Sequence, residues 1–299
     1  MASLSPRSTS PEMRSALPSR CRPRVPPRGA LLASLLCGGA LLAPAGQVRA
    51  ATLPLLSINV NPSSITVAGA LQSGAVNVVS TITGLPEASS ILLQLNPGVS
   101  AEEVYAFLGS SAANDPNNIE RYGAIVFDAE VSASARSEIQ TQLLPGTYLA
   151  LAGAGAGPPR LHASFTVPAT AAPAVMPTPQ ATIRTIDFGF RGPSVLHHGE
   201  LVRFQNDGFL VHMDIAARTR SRSSAGRLLG ALRAGTEQQI DKLVSGPPAA
   251  FTGPLSQGAY QQETITATPG WYVQVSLMNT QDGRDDAFLG MERIIRILK

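Results

Sequence analysis

Between residues 56 and 167 the apolar residues come in short runs separated by Gly, Pro, Ser and Asn. Residues 76–83 alternate around β-branched side chains, and residues 91–95 form another apolar run. Such runs, bounded by turn residues, are typical of the strands of a β-sandwich, because a half-buried strand repeats its apolar face every second residue. Residues 100–103, Ser-Ala-Glu-Glu, form a helix capping box. The sequence therefore predicts an all-β fold with one short helix in this region.

The second half of the chain repeats this pattern in the same order. A second capping-box sequence begins at Thr236, and each half closes with a Pro-Gly-X-Tyr strand, at Pro145 and again at Pro269. One such tetrapeptide is weak evidence alone. A strand, a capped helix and this closing strand recurring in order indicate a tandem duplication.

A stretch rich in Pro and Ala, residues 168–180, separates the two halves. Prolines favour an extended, semi-rigid spacer, so this stretch is predicted to be a linker between domains. We therefore predict two tandem β-sandwiches, residues 51–167 and 181–299, each with a short helix.

The first 50 residues have the features of a secretory signal. Six arginines precede an apolar run at residues 30–42, and small residues follow at Val48 and Ala50, which predicts cleavage before Ala51. The apolar run is shorter than the roughly 20 residues of a membrane span, and no later run approaches that length. We expect a secreted protein, periplasmic or extracellular, whose mature chain has no transmembrane segment.

Removing this segment changes the charge of the chain. It carries seven of the 23 basic residues and one of the 20 acidic residues, which leaves 16 basic and 19 acidic residues. The resulting net charge of −3 gives no reason to expect a nucleic-acid partner. Both cysteines, Cys21 and Cys37, lie in the removed segment, so the mature chain has no thiol and no disulfide.

Three stretches of the second half have spacings that point to a known kind of site. Ser276 follows Tyr272 by four residues, Met291 ends a Gly-Met pair five residues after Asp286, and His212 lies on an upstream strand. In these motifs the chain resembles the copper-site end of the cupredoxins, whose domains are Greek-key β-sandwiches, so the resemblance implies that topology for both halves. The resemblance implies that His212 and Met291 stand where that family has a histidine ligand and the axial methionine. It also implies that Ser276 replaces the cysteine ligand and Asp286 the second histidine.

The replacement of the cysteine decides the expected cofactor. A type 1 copper centre depends on a thiolate, and a serine hydroxyl does not take its place at neutral pH. We therefore expect that the type 1 copper site is lost and that no cofactor is required. In the first half the loss goes further, with Ala152 at the cysteine position and Ser89 or Ser90 near the first histidine position.

The remaining residues of this motif have two interpretations. A histidine and a methionine among apolar neighbours are more often packed core residues than ligands. Alternatively His212, Asp286 and Met291, with Ser276 beside them, form a weak site for copper or another divalent ion.

Residues 217–233 are predicted to be an insertion of about a dozen residues relative to the first half. They carry Arg218, Arg220, Arg222 and Arg227, and a helix is predicted to start near Ser224. Guanidinium groups beside a helix N-terminus can bind a phosphate, an acidic glycan or a lipid head group. Arginines in a loop are more often simply solvated.

Motifs of catalysis are missing from the sequence. It has no Gly-X-Ser-X-Gly, no His-Glu-X-X-His and no phosphate-binding loop. The leading hypothesis is a secreted, non-enzymatic binding or structural protein, whose partner is a protein or an anionic cell-surface polymer. A metal-handling protein, and association with anionic surfaces through residues 218–233, are the alternatives.

Overall fold

The computed structural model describes residues 52–132, 137–153, 159 and 161–299 of the 299-residue chain. The predicted signal peptide, its two cysteines and the predicted N-terminus at Ala51 lie outside the described residues. The described residues belong to one compact unit, and most elements are strands with a few short helices. The predicted all-β class is confirmed.

Two four-stranded layers form the first sandwich. Its strands are β1 (Leu55–Asn61), β2 (Ser64–Gly69), β3 (Gly74–Ile82), β4 (Glu87–Leu95), β5 (Gly123–Ser132), β6 (Ser137–Leu143), β7 (Gly146–Gly153) and β8 (Leu161–Val167). One layer has the order β2-β1-β3-β6 and the other β5-β4-β7-β8. Alternate residues, such as Ile58, Val78, Leu92 and Phe127, form the core between the layers, as half-buried strands require.

The second sandwich has a four-stranded and a five-stranded layer. Its strands are β9 (Ala181–Ile186), β10 (Gly189–Arg191), β11 (Val195–His197), β12 (Leu201–Asn206), β13 (His212–Thr219), β14 (Ala249–Leu255), β15 (Tyr260–Thr264), β16 (Gly270–Val275) and β17 (Glu292–Leu298). The layers have the orders β10-β9-β12-β15 and β11-β17-β16-β13-β14. Ile183, Phe204, Phe251 and Ile295 are buried in the core between them.

The two sandwiches share one strand order. In each, the opening strand pairs in parallel with a later strand, β1 with β3 and β9 with β12. Ile91 on β4 pairs with Leu151 on β7, and Ile215 on β13 pairs with Val275 on β16. The same number of residues separates the partners in both pairs. Strands β4 and β7 therefore correspond to β13 and β16, residue by residue.

The Pro-Gly-X-Tyr strands make the same contact in both sandwiches. The Tyr148 hydroxyl donates to the Leu144 carbonyl at 2.9 Å, and the Tyr272 hydroxyl donates to the Thr268 carbonyl at 2.6 Å. Each tyrosine thus fixes the turn that leads into its own strand.

Three α-helices are described, α1 (Ala101–Leu108), α2 (Arg222–Arg233) and α3 (Glu237–Leu243). The predicted capping box of Ser100 and Glu103 is present at α1. At α3 the prediction of a capping box was wrong, because the Thr236 side chain makes no capping hydrogen bond. Thr236 has ψ of 80°, whereas Ser100 has the extended value of 161° that turns its hydroxyl toward the helix.

Residues 217–233 are not an insertion. Strand β13 runs on to Thr219, and α2 follows it as α1 follows β4. The first sandwich has two 3-10 helices, Ser111–Asn114 and Pro116–Arg121, where the second has α3, so the two connections have similar lengths. The insertion was predicted because the similar capping sequences at Ser100 and Thr236 paired α1 with α3, whereas the structure pairs α1 with α2.

The sandwiches meet through their edge strands. Strand β6 pairs with β15 through Gln140 with Gln262 and Thr141 with Gln261, which joins two layers into one eight-stranded sheet. Residues 168–180 run beside β3, where the Ala75 N–H donates to the Ala174 carbonyl at 2.9 Å. That each sandwich folds independently stays a prediction. Within the described ranges, no helix has the length and apolar character to cross a membrane.

Candidate functional site

Four of the predicted site residues lie at one end of the second sandwich. His212 opens β13, Ser276 follows β16, Asp286 begins a 3-10 helix (Asp286–Leu289), and Met291 precedes β17. Because β16 lies between β13 and β17, these strand ends are neighbours. The strand order therefore carries residues distant in sequence to one place.

Hydrogen bonds connect three of these side chains directly. His212 Nδ1 lies 2.8 Å from Asp286 Oδ2, and the Ser276 hydroxyl donates to the same oxygen at 2.9 Å. All three residues are buried, and the polar groups therefore depend on each other for partners. The predicted convergence of His212, Ser276 and Asp286 is thus present in the fold.

Met291 joins this cluster through its main chain. Its N–H donates to the Asp286 carbonyl at 3.1 Å, and its carbonyl accepts from the Ser276 N–H at 3.2 Å. The methionine is fully buried.

The sequence analysis missed a fourth polar partner, Asp187. Its Oδ1 lies 3.1 Å from His212 Nε2, and its carboxylate also accepts from the main-chain N–H groups of Phe209 and Leu210. Burial raises the pKa of Asp187, but the hydrogen bonds from Phe209, His212 and Leu210 outweigh this, and the net pKa is below the usual value. Asp187 lies in the short connection between β9 and β10, where an acidic residue indicates only a turn.

Close packing fixes the arrangement around Asp187. Gly208 lies so near that a Cβ there would be 2.5 Å from Asp187 Oδ1 and 2.9 Å from His212 Nε2. Phe188, next to Asp187, has a positive φ of 64°, a strained conformation for a side chain of this size. The backbone is thus shaped to bring this carboxylate against the imidazole ring.

The ring of His212 therefore lies between two carboxylates. Both nitrogens donate at once only when both carry a proton. In that state the ring has no lone pair left for a metal ion. A metal ion at His212 would have to displace the proton from one of its ring nitrogens.

The network has further chemical consequences. Ser276 directs its proton to a carboxylate rather than to the imidazole, unlike the serine of a nucleophilic triad. Asp286 Oδ1 is buried without a hydrogen-bond partner among the described residues. No group of three His, Cys, Asp or Glu side chains in the described parts of the chain is arranged to hold a metal ion.

The four arginines predicted to bind an anion divide between two elements. Arg218 lies on β13, and its Nη2 donates to the Pro269 carbonyl at 3.5 Å. Arg222 is the first residue of α2, and Arg227 on the same helix donates to the Ser224 hydroxyl at 3.3 Å. Arg220 is exposed between the two elements. The N-cap of α2 is Ser221, whose hydroxyl accepts from the Ser224 N–H.

The comparisons with known proteins give no sequence match. No family model matches the chain, and no curated protein is similar to it. Similar solved structures include auracyanin A, a "blue" copper protein of Chloroflexus aurantiacus, at 16% identity and a TM-score of 0.24, covering 39% of this chain and 95% of that one.

Two further solved structures are similar over different lengths. An azurin of Methylomonas sp. strain J has 11% identity and a TM-score of 0.24, over 40% of this chain and 96% of that chain. A Cu-containing nitrite reductase of Thermus scotoductus has 15% identity and a TM-score of 0.24, over 82% of this chain and 68% of that chain. The all-β class of the protein rests on its own strands and sheets.

Proposed function

We propose that the protein is a secreted, non-enzymatic binding or structural protein built from two cupredoxin-like sandwiches without a type 1 copper site. The observation that carries this proposal is the position of His212 between Asp187 and Asp286. At the place where the family resemblance puts a copper ligand, both ring nitrogens are already engaged by carboxylates.

The chemistry of the other residues supports the same conclusion. The thiolate of a type 1 site is replaced by Ser276, and the sequence has no cysteine after Cys37. The Ser276 hydroxyl instead donates to Asp286 Oδ2 at 2.9 Å. The former ligand positions then serve to tie β13, the connection before β17 and the β9–β10 turn together.

The test is copper binding by the untagged, secreted protein. We expect no metal in stoichiometric amounts after purification and no intense visible band after addition of Cu(II), because no thiolate is present. Copper that co-purifies at one ion per chain would contradict the proposal.

A gain-of-function variant tests whether Ser276 and Asp286 stand at the positions of copper ligands. Ser276→Cys combined with Asp286→His restores the thiolate and second imidazole and frees one nitrogen of His212 from a carboxylate. We expect this variant to bind copper and turn blue. The matched control is Ala152→Cys, at the corresponding place in the first sandwich, which gains a thiol without a neighbouring histidine and should stay colourless. A folded double variant that binds no copper would contradict the assignment.

A metal-handling protein is a second candidate. It is favoured by the unpartnered Asp286 Oδ1 beside His212, together with the buried Met291. In this case a divalent ion displaces the ring proton of His212, and His212→Ala abolishes binding. Titration of the metal-free protein with Cu(II), compared between wild type and this variant, separates the two functions.

Association with an anionic polymer is a third candidate. It is favoured by three exposed arginines, Arg220, Arg222 and Arg227, on and beside α2. Retention on an anionic matrix should then fall with rising salt and should weaken when these arginines become Gln. Equal retention of wild type and variant would exclude a role for this segment.

A further inference from the structure

A cavity of about 430 Å³ lies where the two sandwiches meet. Four acidic side chains line it, Asp128 and Glu130 from β5, Glu138 from β6 and Glu263 from β15. Among the described residues that line it, none is basic. A volume of this size suits a small organic molecule better than a bare ion.

Asp128 is the most unusual of these residues. Its neighbours Phe127 and Ala129 pack in the first core, so strand alternation turns Asp128 toward the second sandwich. The residue is only 3% exposed, and its Oδ1 has no hydrogen-bond partner among the described residues. A buried polar oxygen without a partner is costly, which indicates that a donor is missing from the cavity.

The surrounding residues hold Asp128 in place. The Asp128 N–H donates to Gln261 Oε1 at 3.2 Å, and Gln261 Nε2 donates to the Asp128 carbonyl at 3.1 Å. The carboxyl group lies directly against Gly253 on β14, where an added Cβ would be 2.3 Å from Asp128 Cγ. The absence of a side chain at Gly253 thus creates the space that the carboxyl group occupies.

We propose that this cavity binds a small organic cation with primary ammonium groups. Asp128 is the principal acceptor of hydrogen bonds from the ammonium groups, and Glu263 is the second. An ammonium group brings three N–H donors and a positive charge, which matches a cavity of carboxylates. A metal ion is the weaker fit, because the described carboxylates do not converge in a group of three that could hold one.

The pKa shifts of two acidic residues that line the cavity are consistent with cation binding. Burial, and then the charge of Glu130, holds the pKa of Asp128 well above its usual range. Burial, and then the charge of Asp214, raises the pKa of Glu263 to about 8. Among the described residues, the charged groups that line the cavity with Asp128 are Glu130 on its own strand, Glu138 on β6 and Glu263 on β15, and β14 carries none. A bound cation stabilises the ionised carboxylates, so its binding releases protons and tightens as pH rises toward the pKa of Glu263.

This site extends the binding role proposed above but does not depend on the loss of copper. The metal content of the protein and its binding of amines are measured separately, so either proposal can fail alone.

The experiment is calorimetric titration of the full secreted chain with cadaverine, with the diol of the same chain length as a neutral control. We expect binding of one cadaverine per chain and none of the diol. Asp128→Asn should weaken binding about ten-fold or more, because it removes the charge and keeps the shape. Glu120→Gln, an exposed residue outside the cavity with the same change of charge, should leave binding unchanged.

Three results would overturn the proposal: no cadaverine binding by wild type, equal binding of the diol, or equal affinity in Asp128→Asn. If Asp128→Asn does not fold, Glu263→Gln gives the same test at a second position, where we expect a several-fold loss. Wild-type affinity that does not increase with pH below the pKa of Glu263 would also contradict the site.

Discussion

The two sandwiches have different kinds of side chain at four positions where their strands correspond residue by residue. The first sandwich has small residues there, Ala88, Ser90, Ala150 and Ala152, and the second has polar or ionisable ones, His212, Asp214, Gln274 and Ser276. The counterpart of His212 is thus Ala88, and not Ser89 or Ser90 as the sequence predicted. One backbone arrangement therefore supports either a set of small side chains or a buried network of polar and ionisable ones.

Hydrogen bonds between its members hold the polar network of the second sandwich together. Gln274 Nε2 donates to both carboxylate oxygens of Asp214, at 2.7 and 2.6 Å, and Arg293 donates to Gln274 Oε1 at 2.6 Å. In the first sandwich the Ser90 hydroxyl donates to the Ser80 hydroxyl at 2.7 Å and has a longer contact, 3.4 Å, with the Ala129 carbonyl. Removing one side chain of the buried polar network should therefore lower the stability much more in the second sandwich than the matching change does in the first.

The largest difference is expected for Asp286→Ala compared with Ser90→Ala. Asp286→Ala leaves His212 Nδ1 and the Ser276 hydroxyl buried without an acceptor, and should lower the free energy of unfolding by about 3–5 kcal/mol. Ser90→Ala should lower it by only about 1 kcal/mol. Urea unfolding measures both. Similar losses of unfolding free energy in the two variants would contradict the expected difference between the sandwiches.

The next largest effect is the pH dependence of stability that Asp214 introduces. Burial raises the pKa of Asp214 to about 7, although Gln274 and Arg293 oppose this. Between its ordinary pKa of 3.8 and about 7 the folded state binds more protons than the unfolded state, so stability falls as pH rises through this range.

Asp214→Asn should remove this change in stability with pH, which is on the order of 4 kcal/mol. Ser90→Ala, at the corresponding position of the first sandwich, should leave the slope unchanged. Thermal unfolding across the pH range compares the three proteins. Parallel curves for wild type and Asp214→Asn would refute the assignment.

The two tyrosines provide a smaller, matched test. The Tyr148 hydroxyl both donates to the Leu144 carbonyl and accepts from the Leu144 N–H at 2.9 Å, whereas the Tyr272 hydroxyl donates to Thr268. Because each lost hydrogen bond costs about 1 kcal/mol, Tyr148→Phe should destabilise by about 2 kcal/mol and Tyr272→Phe by about 1 kcal/mol. The reverse order, measured by urea unfolding, would contradict the difference in bonding.

The smallest effects are expected at the helix starts. Ser100→Ala removes a side-chain cap and should cost about 1 kcal/mol. Thr236→Ala should change the stability very little, because Thr236 makes no capping bond. Equal losses in the two variants would show that Thr236 caps α3 in solution.

Much of the fold was predictable because it depends on local signals. The alternating strands, the Ser100 cap and the Pro-Gly-X-Tyr strands each carry a pattern in neighbouring residues. The convergence of His212, Ser276 and Asp286 was predictable from the spacing of a family motif. Asp187 was not, because its contact with His212 joins a β9–β10 turn to a different strand. The similar capping sequences at Ser100 and Thr236 were misleading, because a capping sequence does not fix the ψ angle that capping needs.

The pairing of β6 with β15 has a consequence for the symmetry of the molecule. These two strands hold the same place in their sheets and pair antiparallel, as like edges do across the two-fold axis of a homodimer. A sandwich made alone would leave the N–H and C=O groups of this edge open to pairing with another copy. By placing both edges in one polypeptide, the chain closes within itself a contact through which separate subunits would self-associate.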